Sequence, residues 1–282
     1  MAPEGEAFRP SADLFGHTSG LIVRCTNCGH GSLLEPPPLD SVMTAYSDAE
    51  DPVSIREEGG QVETAARALA RVERLVDKGT AVDLGCWTGS FLVAARDRGW
   101  QTVGIEPSTW ASSRARERGL TVHQRDLFEH GLPPHSARLV ILCDVLEHLI
   151  EPRRALRLIH ELLEPGGALY MTVPNAGSRL ARVLGRRWWS VLPMHLQYFT
   201  PQSMSLAVRS EGFLVSDMAS HAKAFTARYY AERLGGYSST LERLAVGAVS
   251  RSGLADRMVA PDFRDRLQVV AVAGEHGKVV ET

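Results

Sequence analysis

The chain lacks any long hydrophobic run. Among its 282 residues no apolar stretch approaches the roughly 18–20 that a bilayer span requires, which excludes a transmembrane helix as its organising element. An excess of charge of one sign is missing too. Lys and Arg total 31 against 33 Asp and Glu, so there is no electrostatic reason to expect a polyanionic partner, and nucleic acid is not an expected one. Cysteine is scarce. Of the four, only Cys25 and Cys28 form a close pair, which is too few for a disulfide-stapled scaffold and fits a reducing, cytoplasmic setting. The opening Met-Ala-Pro-Glu-Gly-Glu carries neither the basic nor the apolar block of a secretion signal. Internal repeats are absent, and the only low-complexity tract is Pro36-Pro37-Pro38. What remains is ordinary globular material, 44% hydrophobic and 23% charged, enough for one large α/β domain with a small addition, or for two domains.

The most informative stretch runs from Val82 to Phe91, Val-Asp-Leu-Gly-Cys-Trp-Thr-Gly-Ser-Phe. An apolar strand, Thr80 to Leu84, carries an acid near its end, turns through Gly85 and Gly89, and enters a helix-patterned segment from Ser90 to Arg98. Such a turn brings backbone N–H groups close to a nucleotide-like ligand, and the free amides at the helix start suit an anionic group. Three further apolar runs follow, each with an acid just past its end: Thr102 to Ile105 with Glu106, Leu120 to His123 with Asp126, and Arg138 to Cys143 with Asp144. In a parallel sheet those ends share one edge, so Asp83, Glu106, Asp126 and Asp144 are expected to line a single crevice. Glu106 stands where an acid accepts both hydroxyls of a ribose. Glycines at 85 and 89 alone do not make the Gly-x-Gly-x-x-Gly of a nicotinamide-dependent oxidoreductase.

Asp-Leu-Gly-Cys-Trp-Thr-Gly, Gly-Ile-Glu-Pro at Gly104 to Pro107, Arg-Asp-Leu-Phe at Arg125 to Phe128, Asp-Val-Leu-Glu-His-Leu at Asp144 to Leu149 and Glu-Pro-Gly-Gly at Glu164 to Gly167 together resemble class I S-adenosylmethionine-dependent methyltransferases. The resemblance covers about residues 75–218 and resumes at Leu267 to Ala273. Within that superfamily the chain is similar to the small-molecule branch that includes ubiquinone-biosynthesis O-methyltransferases and enzymes tailoring sugars and antibiotics. His195-Leu-Gln-Tyr-Phe-Thr-Pro201 and the following Gly212-Phe213 carry that likeness. It implies a doubly wound, Rossmann-like α/β sheet of seven strands in the order 3-2-1-4-5-7-6, with Leu267 to Ala273 as an antiparallel seventh strand. It also implies S-adenosylmethionine held by Asp83, Gly85, Cys86, Trp87, Thr88, Gly89, Glu106, Pro107, Asp126, Leu127, Cys143 and Asp144. In this assignment Asp126 accepts from the adenine amino group, Leu127 packs on the ring, Asp83 sits near the methionine moiety, and Cys143 and Asp144 flank the methyl group. Trp87 departs from the family, which usually has a third glycine there. Its indole is expected either over the mouth of the site or packed under the first helix.

Three segments surround this unit. Residues 1–50 form a zinc-ribbon-like segment in which Cys25-Thr-Asn-Cys28-Gly29-His30 makes one knuckle. Four ligands are needed and only His17 and His30 could replace the missing pair, so a degenerate, metal-free flap near the substrate entrance is expected. The methyltransferase domain is assigned to residues 51–282. Ser54 to Asp77 has helical periodicity ahead of the first strand, Ala111 to Arg118 and Pro152 to Leu163 read as later helices, and Ala168 to Val173 as the fifth strand. A helical insertion at about 219–266 either caps the substrate site or makes an oligomer contact.

Methyl transfer is an in-line displacement with a neutral leaving group, so positioning carries much of it and a base is needed only for an acceptor that holds its proton tightly. Two histidines are candidates, His195 ahead of His148. Arg186, Arg187, Trp188 and Trp189, with Tyr198, are expected to contact a planar or acidic acceptor, although a helix end with buried indoles and solvated arginines explains the same cluster. The expected function is methyl transfer to a small-molecule acceptor, oxygen before nitrogen or carbon. The alternatives are an RNA methyltransferase or nucleic-acid-binding protein, suggested by the Cys pair, and a non-catalytic cofactor-binding partner.

Overall fold

In the computed structural model, which describes residues 20–274, a hairpin of β1 (Ile22–Arg24) and β2 (Gly31–Leu33) precedes three helices, α1 (Leu39–Ser47), α2 (Pro52–Arg56) and α3 (Glu58–Val72). The chain then alternates through β3 (Thr80–Leu84), α4 (Ser90–Asp97), β4 (Gln101–Ile105), α5 (Thr109–Glu117), β5 (Val122–His123), β6 (Ala137–Cys143), α6 (Pro152–Leu162) and β7 (Leu163–Pro174). It continues with α7 (Arg179–Leu184), β8 (Gln197–Tyr198), α8 (Pro201–Ser210), β9 (Phe213–Ser220), β10 (Phe225–Thr226), α9 (Ala227–Glu232), α10 (Ser239–Arg251), β11 (Met258–Val259) and β12 (Arg266–Ala273). Among the described residues no helix is long and apolar enough to cross a membrane.

Seven strands form the main sheet in the order β5-β4-β3-β6-β7-β12-β9. Counted along the chain, that is the expected 3-2-1-4-5-7-6. The first five run parallel, and β12 is antiparallel to both β7 and β9. Parallel strands covered on both faces need unbroken apolar runs, and β6 provides one, with Leu139, Val140, Ile141 and Leu142 fully buried. On one face α6 packs Leu156, Ile159 and Leu162, and on the other α3 packs Ala65, Ala68, Leu69 and Val72.

Some boundaries differ from those expected. The helix predicted from Ser54 to Asp77 is two helices and ends at Val72; the break falls at Glu57, whose buried carboxylate accepts from the Thr226 N–H and hydroxyl, both 2.8 Å away. The fifth strand starts at Leu163, five residues earlier than Ala168, with Gly166 at positive φ letting the chain turn into the ladder. In the N-terminal segment, β1 and β2 join β8 in a three-stranded sheet, so the hairpin is stitched to the His195 motif. The Leu33 N–H donates to the Leu196 carbonyl, and the Thr200 hydroxyl to that of Cys28. His30 is turned to Gln197, 3.0 Å away, and among the described residues it forms no three-ligand group with Cys25 and Cys28. His17 lies outside the described residues.

Candidate active site at the strand tips

A cavity of about 620 Å³ opens at the carboxyl ends of β3, β4 and β6 and extends beneath α1 and α9. Its first half is built by the glycine turn. Gly85 sits at φ +79, and a Cβ there would meet Val145 Cγ2 at 2.6 Å; Gly89 sits at φ +80, and a Cβ there would meet Leu120 Cδ1 at 2.3 Å. Trp87 occupies the same left-handed region at φ +49, which accounts for glycine being usual there and costs this chain about 1–2 kcal/mol. Its half-buried indole lines the cavity, donates to Ser54 Oγ at 3.1 Å and lies 5.5 Å from the Trp110 ring. Glu106 is clamped by two backbone donors, Trp87 N–H and Ser108 N–H, both at 2.8 Å. Burial nevertheless lifts its carboxyl to about 7, and burial with the Glu106 charge lifts Asp83 to about 8. Asp126 lines the same wall, its carboxylate capping the next turn through Phe128 N–H at 2.7 Å.

The second half is assembled from distant segments. His148 donates its Nδ1–H to the Met194 carbonyl at 3.0 Å, and His195 donates its own to the Ser190 carbonyl at 2.8 Å, since a carbonyl can only accept. Both Nε2 lone pairs are thereby presented, and the two rings meet edge to face at 4.7 Å. Burial lowers both imidazoles, His148 to about 4, so each is neutral near pH 7. Glu147 is fully buried with both carboxylate oxygens lacking a hydrogen-bond partner, and burial pushes it up to about 8. The ligand atoms of Glu147, His148 and His195 all lie within 4.8 Å of one another, a group that could hold a metal ion and that was not anticipated from the sequence. Tyr46 of α1 stacks its edge on His148 at 5.7 Å and closes this end. Asp144, itself at φ +56, is paired with Lys223 and Arg266 and accepts from Thr172 Oγ at 3.2 Å.

A methyltransferase-domain family profile matches residues 58–216, more than half of the chain, from α3 into β9. The chain belongs to the class I S-adenosylmethionine-dependent methyltransferases. The ubiquinone biosynthesis O-methyltransferase of Aeromonas salmonicida is 27% identical over 152 residues, 49% of this chain and 64% of that protein. Its counterpart from Pseudomonas paraeruginosa is 26% identical over 153 residues, 49% and 66% of the two chains. The chain thus spans just under two thirds of the length of these relatives. Among solved structures, an S-adenosylmethionine-dependent methyltransferase from Archaeoglobus fulgidus superposes with a TM-score of 0.53 at 18% identity, over 79% of this chain and 100% of that one. Another from Mesorhizobium loti gives 0.51 at 22% identity, over 75% and 99%. These two share the fold.

The cavity fits the family's cofactor, which carries a sulfonium and an ammonium. Asp83 and Glu106 are two buried carboxyls with no ion-pair partner among the described residues, and both line the cavity. Gly85, Cys86, Trp87, Pro107, Asp126, Leu127, Cys143 and Asp144 line it as well. Thr88 and Gly89 do not; they are buried behind the turn and shape it. Four of the loop amides are engaged inside the protein. Gly85 and Cys86 N–H both donate to the Ile105 carbonyl, Trp87 N–H to Glu106, and Gly89 N–H to the Cys86 carbonyl. The proposed acceptor contacts divide. Trp189 lines the cavity, whereas Arg186 and Arg187 are exposed on a turn outside it. Trp188 and Tyr198 are buried in a satellite cluster with Ala176, Ala181 and Val191, and the Trp188 indole donates to Asp265 at 3.2 Å. Buried rings and solvated arginines therefore part company here: β8 and the turn after α7 bury Trp188 and Tyr198 behind the cavity wall, and leave Arg186 and Arg187 in solvent. Lys223 and Arg266, outside every motif quoted above, were missed; no local pattern marks them.

Proposed function

We propose that the chain transfers the methyl group of S-adenosylmethionine to a hydroxyl oxygen of a small-molecule acceptor in the cytoplasm. The observation that carries the choice of oxygen is the group formed by Glu147, His148 and His195 beside the Cys143–Asp144 loop. The bound cofactor supplies an electrophilic methyl and a neutral leaving group. Asp83 and Glu106 would hold its cationic and ribose portions, beside the turn at Gly85 to Trp87 that lines the same cavity. Trp189, Met194 and Tyr46 enclose the acceptor and exclude water. A hydroxyl within reach of His195 Nε2 passes its proton to that lone pair as the oxygen attacks, while the Ser190 carbonyl fixes the tautomer. The likeness to O-methyltransferases at 27% identity supports the same acceptor atom. Incubating the full chain with methyl-labelled cofactor and phenolic acceptors should give labelled ether; absence of cofactor binding by calorimetry would sink the reading.

A second reading of the same group is favoured by the unpartnered Glu147 carboxylate. A divalent cation held by Glu147, His148 and His195 would satisfy that carboxylate and both Nε2 atoms, and as a Lewis acid would acidify a bound hydroxyl that the weakly basic imidazoles deprotonate poorly. Elemental analysis before and after chelation separates the two: stoichiometric metal with chelator-sensitive turnover supports this version, and metal-free turnover supports His195 as base.

A further inference from the structure

Lys223 and Arg266 both line the cavity, and both reach Asp144. Among the described residues Asp144 is the only carboxylate in ion-pair contact with either cation. Two basic groups therefore share one carboxylate. Their side chains keep 28% and 19% of their surface accessible, and because both line the cavity, that surface faces an enclosed space. Arg266 Nε is buried and has no hydrogen-bond partner. A guanidinium with an unused donor beside an ammonium matches the planar, two-oxygen geometry of a carboxylate.

The pair is built in advance. The Ala224 N–H donates to Thr64 Oγ at 2.8 Å, and Tyr230 Oη donates to the Lys223 carbonyl at 2.7 Å. Gly60 of α3 lets the Ala224 carbonyl approach so closely that a Cβ would lie 2.1 Å from it. Arg266 begins β12 inside the sheet. Around the two cations the wall is aromatic, with Trp189, Phe225 and Tyr229. Neither cation falls within residues 58–216, the part of the chain that the family profile matches, whereas Asp144 and Trp189 do.

We propose that Lys223 and Arg266 form a carboxylate-binding subsite, and that the acceptor is an aromatic hydroxy acid whose ring lies against Trp189, Phe225 and Tyr229. The inference rests on the methyl-transfer reading for its use but not for its binding chemistry. Sharing Asp144 keeps both cations oriented in the absence of acceptor, and the incoming carboxylate takes the donors that Asp144 leaves unused.

Calorimetry on the full chain, with and without S-adenosylhomocysteine, compares 3,4-dihydroxybenzoate and 4-hydroxycinnamate with their methyl esters. Each acid should bind at least about tenfold more tightly than its ester, the scale of a hydrogen bond to a charged group. Lys223→Met should abolish that preference and Lys223→Arg should restore most of it, with circular dichroism and melting temperature reporting that both variants are folded. Equal binding of acid and ester, binding of neither, or a preference that survives Lys223→Met in a folded protein overturns the subsite. Turnover is read separately. Methylation of an uncharged catechol without acid preference removes the subsite and keeps the methyl-transfer reading, whereas acid-selective binding without methylation of any acceptor keeps the subsite and removes that reading.

Discussion

The two halves of the cavity are built on opposite principles. The cofactor half comes from consecutive strand tips of one parallel sheet, and its charged groups, Asp83 and Glu106, are buried acids without cations. The other half comes from the turn after β6, the segment before β8, α1 and the stretch leading into α9, and it pairs two cations with Asp144, while burial raises its second acid, Glu147, to about 8. One side is prepared to receive positive charge and the other negative. The difference shows how a parallel sheet can keep a fixed cofactor end while segments threaded across its edge change what meets the methyl group.

His195→Ala should break the acceptor half alone. Loss of a positioned base lowers kcat by about 10²–10⁴, with cofactor affinity by calorimetry retained; a parallel loss of cofactor binding would mean that the two halves are not separable. Glu106→Ala should do the reverse. Two hydrogen bonds to a charged group, about 1.5–3 kcal/mol each, amount to at least about 100-fold in cofactor affinity. Unchanged uptake would remove Glu106 from the site.

A pH series sharpens the contrast in charge. Asp83 at about 8 and Glu106 at about 7 are raised in the cofactor-free protein, so a cationic ligand must draw protons off them as it binds. Cofactor affinity should rise between about pH 6 and 9, by up to about tenfold per unit for each proton released. Calorimetry in buffers of different ionisation enthalpy reads that release directly. The sign for stability is opposite. These carboxyls hold more protons folded than unfolded between the ordinary value near 4 and about 8, so the melting temperature of the cofactor-free protein should fall as pH rises through that window. A rising melting temperature would show that the two acids are not buried as described. The smallest effect belongs to Arg186→Ala and Arg187→Ala. Both side chains are exposed outside the cavity, so cofactor and acceptor affinities should stay within about twofold.

Much of the cofactor half was legible from residue order. Each apolar run followed by an acid became a strand with its carboxylate at the shared edge, because a parallel sheet leaves only one place for strand ends to go. The acceptor half was legible only where a motif crossed it, at His148 and His195. The Arg186–Trp189 cluster misled because composition does not tell which side of a turn faces a cavity; Trp189 faces it, while Trp188 packs behind it. Glu147 lies inside the Asp144–Leu149 motif, but its lack of a hydrogen-bond partner appears only once the neighbours are in place.

The order of apolar runs, glycines and acids by itself determined the doubly wound sheet and the cofactor edge, since those features depend on local periodicity and on the chirality of β-α-β connections. Only the tertiary structure decided that Asp144, Lys223 and Arg266 meet, that Glu147 is enclosed with two imidazoles, and that the amides of Gly85, Cys86 and Trp87 turn inward to Ile105 and Glu106. Those contacts join residues up to 122 positions apart. They depend on which segments cross the sheet edge, and no periodicity along the chain records that.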